Sequence, residues 1–313
     1  MFNIIKDLTS YIIFILTHSL ASYLPLEIIR HIIYFYARGI GNATKIICGK
    51  NHYGFLIDHS LYMVGSNKYG QLGFYGNNAY KPIKIKPNDI IDANCGWTDH
   101  TVFITNSGDV YCCGYNFDDK FHLGTHSLRL LLHKHPIIKN IKMVSSNNKY
   151  CIFLTTDGNI VGYELYDRFR YNIETISCTL YNVLFISKNK VYEFDLSVDN
   201  YYGASEINVP GDIISIDCGN WYAIIHTTSG LYLQTFDVLG WQEYQHVDIY
   251  NIISIKCGPN HILVLTKQGL FSFKYNRLEF VKVDISDILS FNCGASDIFI
   301  LKLDGLHMIP YPS

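Results

Sequence analysis

The sequence lacks any excess of charge. In 313 residues, 25 lysines and arginines face 27 aspartates and glutamates, for a formal net charge of −2. Its basic runs hold two or three charges at most. It therefore has no basic footprint for a nucleic-acid backbone, and no nucleic-acid partner is expected. No glycine-rich phosphate loop occurs, neither G-x-G-x-x-G nor G-x-x-x-x-G-K-[ST]. No G-x-S-x-G nucleophile elbow occurs either. No low-complexity tail or Pro/Gly/Ser-rich linker divides the chain. These absences remove nucleotide binding by the common loops and serine hydrolysis from the reading. They leave a chain expected to be no enzyme, with no catalytic residue, no cofactor and no metal.

Apolar residues make up 49% of the chain, with 25 tyrosines and 18 phenylalanines, enough to bury a large core and biased toward strands. The nine cysteines are an odd number. Six of them, Cys48, Cys95, Cys178, Cys218, Cys257 and Cys293, recur in one pattern. Residues repeated at equivalent places in separate units do not generally reach one another, so they read as reduced, buried, small hydrophobes. That points to an intracellular setting, cytoplasmic or nuclear.

The pattern is an internal repeat. An apolar strand runs into Ile47-Cys48-Gly49, Asn94-Cys95-Gly96, Asp217-Cys218-Gly219, Lys256-Cys257-Gly258 and Asn292-Cys293-Gly294. Weaker copies, Val144-Ser145-Ser146 and Ser177-Cys178-Thr179, fill the gap, with the third unit counted from Ser145. Each copy is followed by an apolar run and then a turn such as Ser107-Gly108-Asp109, Asp157-Gly158-Asn159 or Ser229-Gly230. Asp58-His59-Ser60 and Lys188-Asn189-Lys190 take that place in the first and fourth units. These turns supply the positive φ of tight hairpins. Seven units of about forty residues, each three or four short strands, predict radial repetition into an all-β, seven-bladed propeller. The last unit ends soon after Tyr311. Its outer strand is expected to be missing or to be supplied by residues near 40–47, like a clasp.

The first two units carry a family resemblance. One reads Cys48-Gly49, then Gly65-Ser66-Asn67, then Gly70-Gln71-Leu72-Gly73. The other reads Cys95-Gly96, His100-Thr101, Gly108-Asp109-Val110-Tyr111 and Gly114-Tyr115-Asn116. Their order and spacing resemble the RCC1 (regulator of chromosome condensation) repeat across roughly residues 44–310. The resemblance implies a seven-bladed propeller whose members include guanine nucleotide exchange factors, scaffolds and ligand-binding modules. Exchange-factor members act through particular loops or an inserted β-wedge, and most units here are too short for an evident extra hairpin.

Residues 1–43 precede the repeats and read as two apolar helices, over 3–20 and 25–37, with Pro25 in the first turn of the second. Leu24, Ile28, Ile32 and Ile33 form a stripe at helical spacing. The stretch Leu24-Pro25-Leu26-Glu27-Ile28-Ile29-Arg30-His31-Ile32-Ile33 is similar to the opening of an F-box, which implies docking on a Skp1-like adaptor. The alternatives are a helical cap packed on the ring, or a membrane contact through the charge-free stretch from Leu8 to Leu26, which Thr17, His18, Ser19 and Pro25 interrupt.

Other constellations carry less. His122, His126, His133 and His135 fall in a long inter-unit insertion that reads as a surface loop. His52, His100 and His261 share one repeat slot and read as structural. Trp97, Trp221 and Tyr222 follow their Cys positions at similar offsets, which suits lining one face of the ring, and Trp241 follows Gly240 on a turn. The sequence thus predicts two domains, 1–43 and 44–313, and a monomeric protein-interaction module. It is expected to act as a ubiquitin-ligase adaptor or, alternatively, as an exchange factor for a small GTPase or a membrane-tethered scaffold. Its partner contacts are placed at Leu24, Pro25, Glu27, Ile28, Ile32, Trp97, Trp221, Tyr222 and Trp241.

Overall fold

A computed structural model describes residues 43–116, 119–121, 123, 126–162, 172–196, 203–237, 240–274, 277–295, 297–302 and 305–311. The predicted helices and the F-box-like residues Leu24, Pro25, Glu27, Ile28 and Ile32 lie outside these.

Each repeat folds into one antiparallel sheet, and there are seven. Their innermost strands are Ala43–Cys48, Ile90–Gly96, Ile141–Ser146, Thr175–Cys178, Ile213–Cys218, Ile252–Cys257 and Ile288–Cys293. They define blades 1 to 7. Each touches the next around a ring, and the strand of blade 7 touches that of blade 1. The second strands, such as His100–Thr105 and His261–Thr266, are buried on both faces. That is why they read as unbroken apolar runs rather than alternating ones. In blade 2, Phe103 packs toward blade 1, while Val102 and Ile104 pack toward blade 3. In blade 6, Ile262 and Val264 face blade 5, while Leu263 faces blade 7.

The hairpins that follow use the predicted turn chemistry. Gly108 and Gly158 stand at φ 76° and 82°. In the two units without glycine, Asp58-His59 and Lys188-Asn189 take positive φ at both central positions, 44° and 57°, 51° and 58°. Paired positive φ is the type I′ geometry that matches the twist of neighbouring strands.

Among the described residues the ring closes by packing between blades 1 and 7. Ile46, Cys48, Phe55 and Val64 of blade 1 form one buried cluster with Phe299, Leu301 and Met308 of blade 7. Asn292 Nδ2 donates to the Ile46 carbonyl at 2.7 Å across the same seam. Residues 43–47 are not the outer strand of blade 7, because they pair with His52–Ile57 as the inner strand of blade 1. Blade 7 has three strands among the described residues.

Two further expectations are corrected. In blade 3 it is Ser146, opposite Cys151, that fills the Cys slot, not Ser145. A one-residue slip exchanges the faces of a strand, so Ser145 belongs with Asn94 and Asp217. The His-rich insertion is not simply a loop. Ser127–Lys134 is the outer strand of blade 2, paired with Val110–Asn116. His135, just beyond it, is buried: its Nε2 lies 2.9 Å from the Phe121 carbonyl and its Nδ1 accepts the Ile138 N–H at 2.9 Å. Among the described residues no helix is long and apolar enough to cross a membrane.

Candidate interaction site

The inner strands enclose a central cavity of about 530 Å3. The residue just before each Cys slot lines it or reaches the next blade. Asn94 Oδ1 accepts Ser146 Oγ at 3.1 Å. Ser145 Oγ accepts the Cys178 N–H at 3.1 Å. Asp217 takes the Cys218 N–H on one oxygen at 2.9 Å and the Cys257 N–H on the other at 2.8 Å. Asn292 holds the seam, as described. Two positions earlier, Lys45 and Asp92 form an ion pair at 2.5 Å, and Asp92 Oδ2 also accepts the Val144 N–H. These are ties between blades. Burial pushes the Asp217 carboxyl above its usual range, against the opposing pull of Lys256. Sequence reasoning concentrated on the cysteines and passed over this girdle, although Asn94, Ser145, Ser177, Asp217 and Asn292 make it readable as a polar slot.

The Cys thiols themselves face inward between blades. Burial raises every one of the nine, with Cys95 and Cys178 pushed up to about 12. All are free. The shared histidine slot is real: His52 and His100 stand opposite Gly65 and Gly114. His52 Nε2 lies 3.2 Å from the His100 carbonyl and 3.1 Å from Thr101 Oγ1, so Nε2 carries the proton. Burial lowers His52 from 6.5 to about 4. His100 falls well below 6.5 through burial and then the neighbouring Lys120. Groups held neutral in this way are poor general acids at neutral pH.

The face on which the inner strands end, with their Cys-Gly turns, carries the candidate surface. In blade 1 the loop 66–78 is organised by Asn67. Its Oδ1 accepts the Leu72 N–H at 3.0 Å, and its Nδ2 donates to the Phe74 carbonyl at 3.1 Å. The loop is clamped to blade 2 where Thr101 Oγ1 donates to the Gln71 carbonyl at 2.7 Å. Lys120 stands four residues after Asn116, as Gln71 stands four after Asn67. It is buried, and its ammonium donates to Thr98 Oγ1 and the Asn148 carbonyl of blade 3.

Three half-buried aromatic rings meet between blades 4 and 5. Trp221 lies 5.8 Å from Tyr181 and 5.6 Å from Phe236, and Tyr181 lies 5.0 Å from Phe236. Phe236 belongs to a projection. The third strand of blade 5, Gly230–Asp237, outruns its sheet and turns back through Gly240–Trp241, with Phe236 opposite Trp241. No extra hairpin was expected from the sequence, where Val238-Leu239-Gly240 resembles a degenerate Gln-Leu-Gly. A second pair, Tyr69 and Tyr115, meets edge to face at 5.5 Å over blades 1 and 2.

The predicted contacts therefore separate. Trp221 meets the ring of Phe236, and the backbone of Trp241 pairs with that of Phe236. Trp97 lies apart, on a blade 2 turn lining the central cavity. Tyr222 is not a surface residue. It fills the histidine slot of blade 5, fully buried, its hydroxyl 2.7 Å from both the Gly258 and His261 carbonyls. A phenol long enough to reach blade 6 is a strut, and a partner does not reach it. Among the described residues no group of three or more His, Cys, Asp or Glu is placed to hold a metal ion.

Comparison with known proteins agrees with the repeat reading. Two profiles of the Regulator of chromosome condensation (RCC1) repeat match residues 58–104 and 90–119. The X-linked retinitis pigmentosa GTPase regulator of Canis lupus familiaris is 25% identical over 72% of this chain, which spans only 28% of that protein's length. The human RCC1-like G exchanging factor-like protein is 26% identical over 38% of this chain and 28% of its own. Among solved structures, Prp20p of Saccharomyces cerevisiae, studied with its binding to Gsp1p and histones, aligns with a TM-score of 0.63 at 15% identity, over 80% of each chain. The CRINKLY WD40 ectodomain of an Arabidopsis thaliana receptor kinase aligns at 0.58 and 13% identity, over 86% of this chain and 96% of its own. At such identities these two structures speak for the fold.

Proposed function

We propose that this RCC1-repeat propeller is a protein-recognition module that binds its partner across the Cys-Gly face and performs no bond chemistry of its own. One observation carries the reading: the half-buried cluster of Tyr181, Trp221 and Phe236 at the end of the third strand of blade 5. Aromatic rings held by neighbours, yet partly open, are the commonest anchors of protein contacts. The absence of bond chemistry is supported by burial, which keeps the thiols protonated and His52 and His100 neutral. Reduced thiols also fit an intracellular setting.

Within that reading the partner is a small GTPase. The support is likeness to relatives named as a GTPase regulator and a G exchanging factor-like protein. The test uses a panel of small GTPases loaded with a fluorescent GDP analogue. The full chain should bind one of them, and Trp221→Ala with Phe236→Ala should weaken that binding by about 2 kcal/mol or more, roughly thirtyfold. Faster nucleotide release would make the module an exchange factor, and binding without release a scaffold. Equal binding by the double variant would remove the aromatic surface from the reading.

A second reading rests on the F-box-like stretch at residues 24–36, which favours a Skp1-like adaptor and a role in choosing ubiquitin-ligase substrates. Under it, the full chain captures purified Skp1 and cullin, and Leu24→Asp with Ile28→Asp abolishes capture. Failure of the unaltered chain to bind Skp1 would discard it.

A further inference from the structure

The seam between blades 4 and 5 ends, toward the Cys-Gly face, in a polar notch. Deeper in the seam, Leu184 and Val191 of blade 4 pack with Ala223 and Tyr232 of blade 5. Asn182 stands two residues before Leu184, and Glu193 pairs with Leu184 across the hairpin, so both share its face. Asp195, which pairs with Asn182, shares it too. Gln234 pairs with Ala223 and looks back at them from blade 5. Asn182 Nδ2 and the Gln234 amide both donate to the Glu193 carboxylate.

The notch is short of positive charge and of donors. Asp92, Asp109 and Glu206 each face a lysine, whereas among the described residues no lysine or arginine pairs with Glu193. Burial pushes the Glu193 carboxyl above its usual range, the Asn182 amide pulls it down, and Asp195 adds to the push. Three buried oxygens of the seam also lack a hydrogen-bond partner: Asn182 Oδ1, Gln234 Oε1 and the Tyr244 hydroxyl. Asn182 and Gln234 are only 3% and 7% exposed. Tyr244 packs in the same seam, where burial and then the charge of Glu193 raise its phenol well above the usual range. Unmet oxygens around a carboxylate, away from water, deepen the negative potential and cost stability until a donor or a cation answers them.

The notch adjoins the aromatic cluster. Tyr181 is the residue before Asn182, and Phe236 stands two residues after Gln234 on the same strand. Glu193 and Asp195 are half-buried rather than sealed, as are the three rings. We infer that this notch takes a lysine or arginine side chain of the protein partner, with its cation on Glu193 and its methylenes against Tyr181, Trp221 and Phe236. The carboxylate supplies a charge-assisted hydrogen bond, and the rings supply apolar cover for the stem and their negative faces for the cation. The inference rests on recognition across the Cys-Gly face, and it adds a charge requirement to the aromatic surface.

Trp221 reports on the notch. The full chain, isotopically labelled at its tryptophan indoles, is titrated to millimolar concentration with short acetylated peptides of glycine and serine that carry one central lysine, arginine, citrulline or norleucine. Loss of a resonance in Trp221→Phe assigns the Trp221 signal. The lysine or arginine peptide should shift that signal, and the uncharged citrulline and norleucine peptides should not. Glu193→Gln keeps an acceptor for Asn182 and should weaken the charged peptide about tenfold. Tyr244→Phe removes only an unmet hydroxyl. It serves as the second variant should Glu193→Gln misfold, and should weaken binding about threefold. Equal shifts from charged and uncharged peptides, no shift from any peptide, or unchanged affinity in the variants overturn the inference. So does a shift produced by calcium chloride alone, which would give the notch to a metal ion. A positive titration beside a panel in which no GTPase binds would fail the GTPase alone, and a negative titration beside a bound GTPase would fail the notch alone.

Discussion

His52 places a titratable ring in the seam between blades 1 and 2, where only its neutral form fits. Its Nε2–H is shared between the His100 carbonyl and Thr101 Oγ1, and its Nδ1 faces no hydrogen-bond partner. Burial brings its pKa to about 4, against 6.5 for the exposed ring. The unfolded chain therefore binds more protons between those values, and stability falls as pH drops from about 6.5 toward 4. For this fully buried ring the loss amounts to about 3 kcal/mol across the window. Urea unfolding at several pH values should show it. His52→Gln, which keeps a donor for the His100 carbonyl, should flatten the acid limb by that amount relative to the unaltered chain. Parallel acid limbs in the two proteins would mean that the ring protonates without opening the seam. His100 adds to the same limb in the same direction, because its pKa is lowered too.

At the scale of elements, the motifs that resemble the RCC1 repeat are joints between blades. Gly65 adopts φ 111°, and a Cβ there would stand 2.6 Å from the Asn51 carbonyl oxygen and 2.8 Å from His52 Cα. The chain then leaves the strand into a loop that Asn67 holds from within, through Leu72, Phe74 and Gly76. Asn67→Ala would strand these backbone groups in a buried site, at a cost of about 2–3 kcal/mol. The loop carries Lys68, exposed, and Tyr69. Trypsin should therefore cut after Lys68 in Asn67→Ala and spare it in the unaltered chain under native conditions. No difference in cutting would show that the ties to Thr101, Asp99 and Arg129 hold the loop without Asn67. This wiring also explains what could be read in advance. The second strands are buried on both faces, so they announce themselves as apolar runs, and the hairpin turns announce themselves by glycine or by Asp-His and Lys-Asn. Outer strands are half-exposed, and Ser127–Lys134 follows no clean alternation, so this strand and its His133 looked like a loop. The Ser145 and Ser146 pair offers two equivalent readings one residue apart, and only the pairing of Ser146 with Cys151 decides between them. Tyr222 was misplaced because aromatic character alone does not distinguish a strut in the histidine slot from an anchor on the surface. Trp221, one residue earlier, is the half-buried ring of the two.

For the whole molecule, closure turns a row of repeats into a single cooperative body. A linear array has two ends, and each end exposes an apolar blade face. Here every blade has two covered faces, and the last seam joins residues almost the length of the chain apart, as in the hydrogen bond from Asn292 to Ile46. The Tyr53 and Phe299 rings meet there at 4.7 Å, and Phe299 is buried within the cluster shared by blades 1 and 7. Phe299→Ala removes that packing at a cost of about 3–5 kcal/mol. Phe153→Ala, a core residue in the seam between blades 2 and 3, removes a ring of the same size in the middle of the chain. In an open row, the end seam would be the weaker one. Phe299→Ala would then fray blade 7 in a separate early transition, while Phe153→Ala would destabilise the body. In a closed ring the two seams are equivalent, so both variants should lower the melting temperature by similar amounts and keep one transition. Differential scanning calorimetry with hydrogen exchange at residues 297–302 separates the two cases. Early exchange confined to those residues in Phe299→Ala would mean that the ring is held by its other six seams, with the seventh only resting in place.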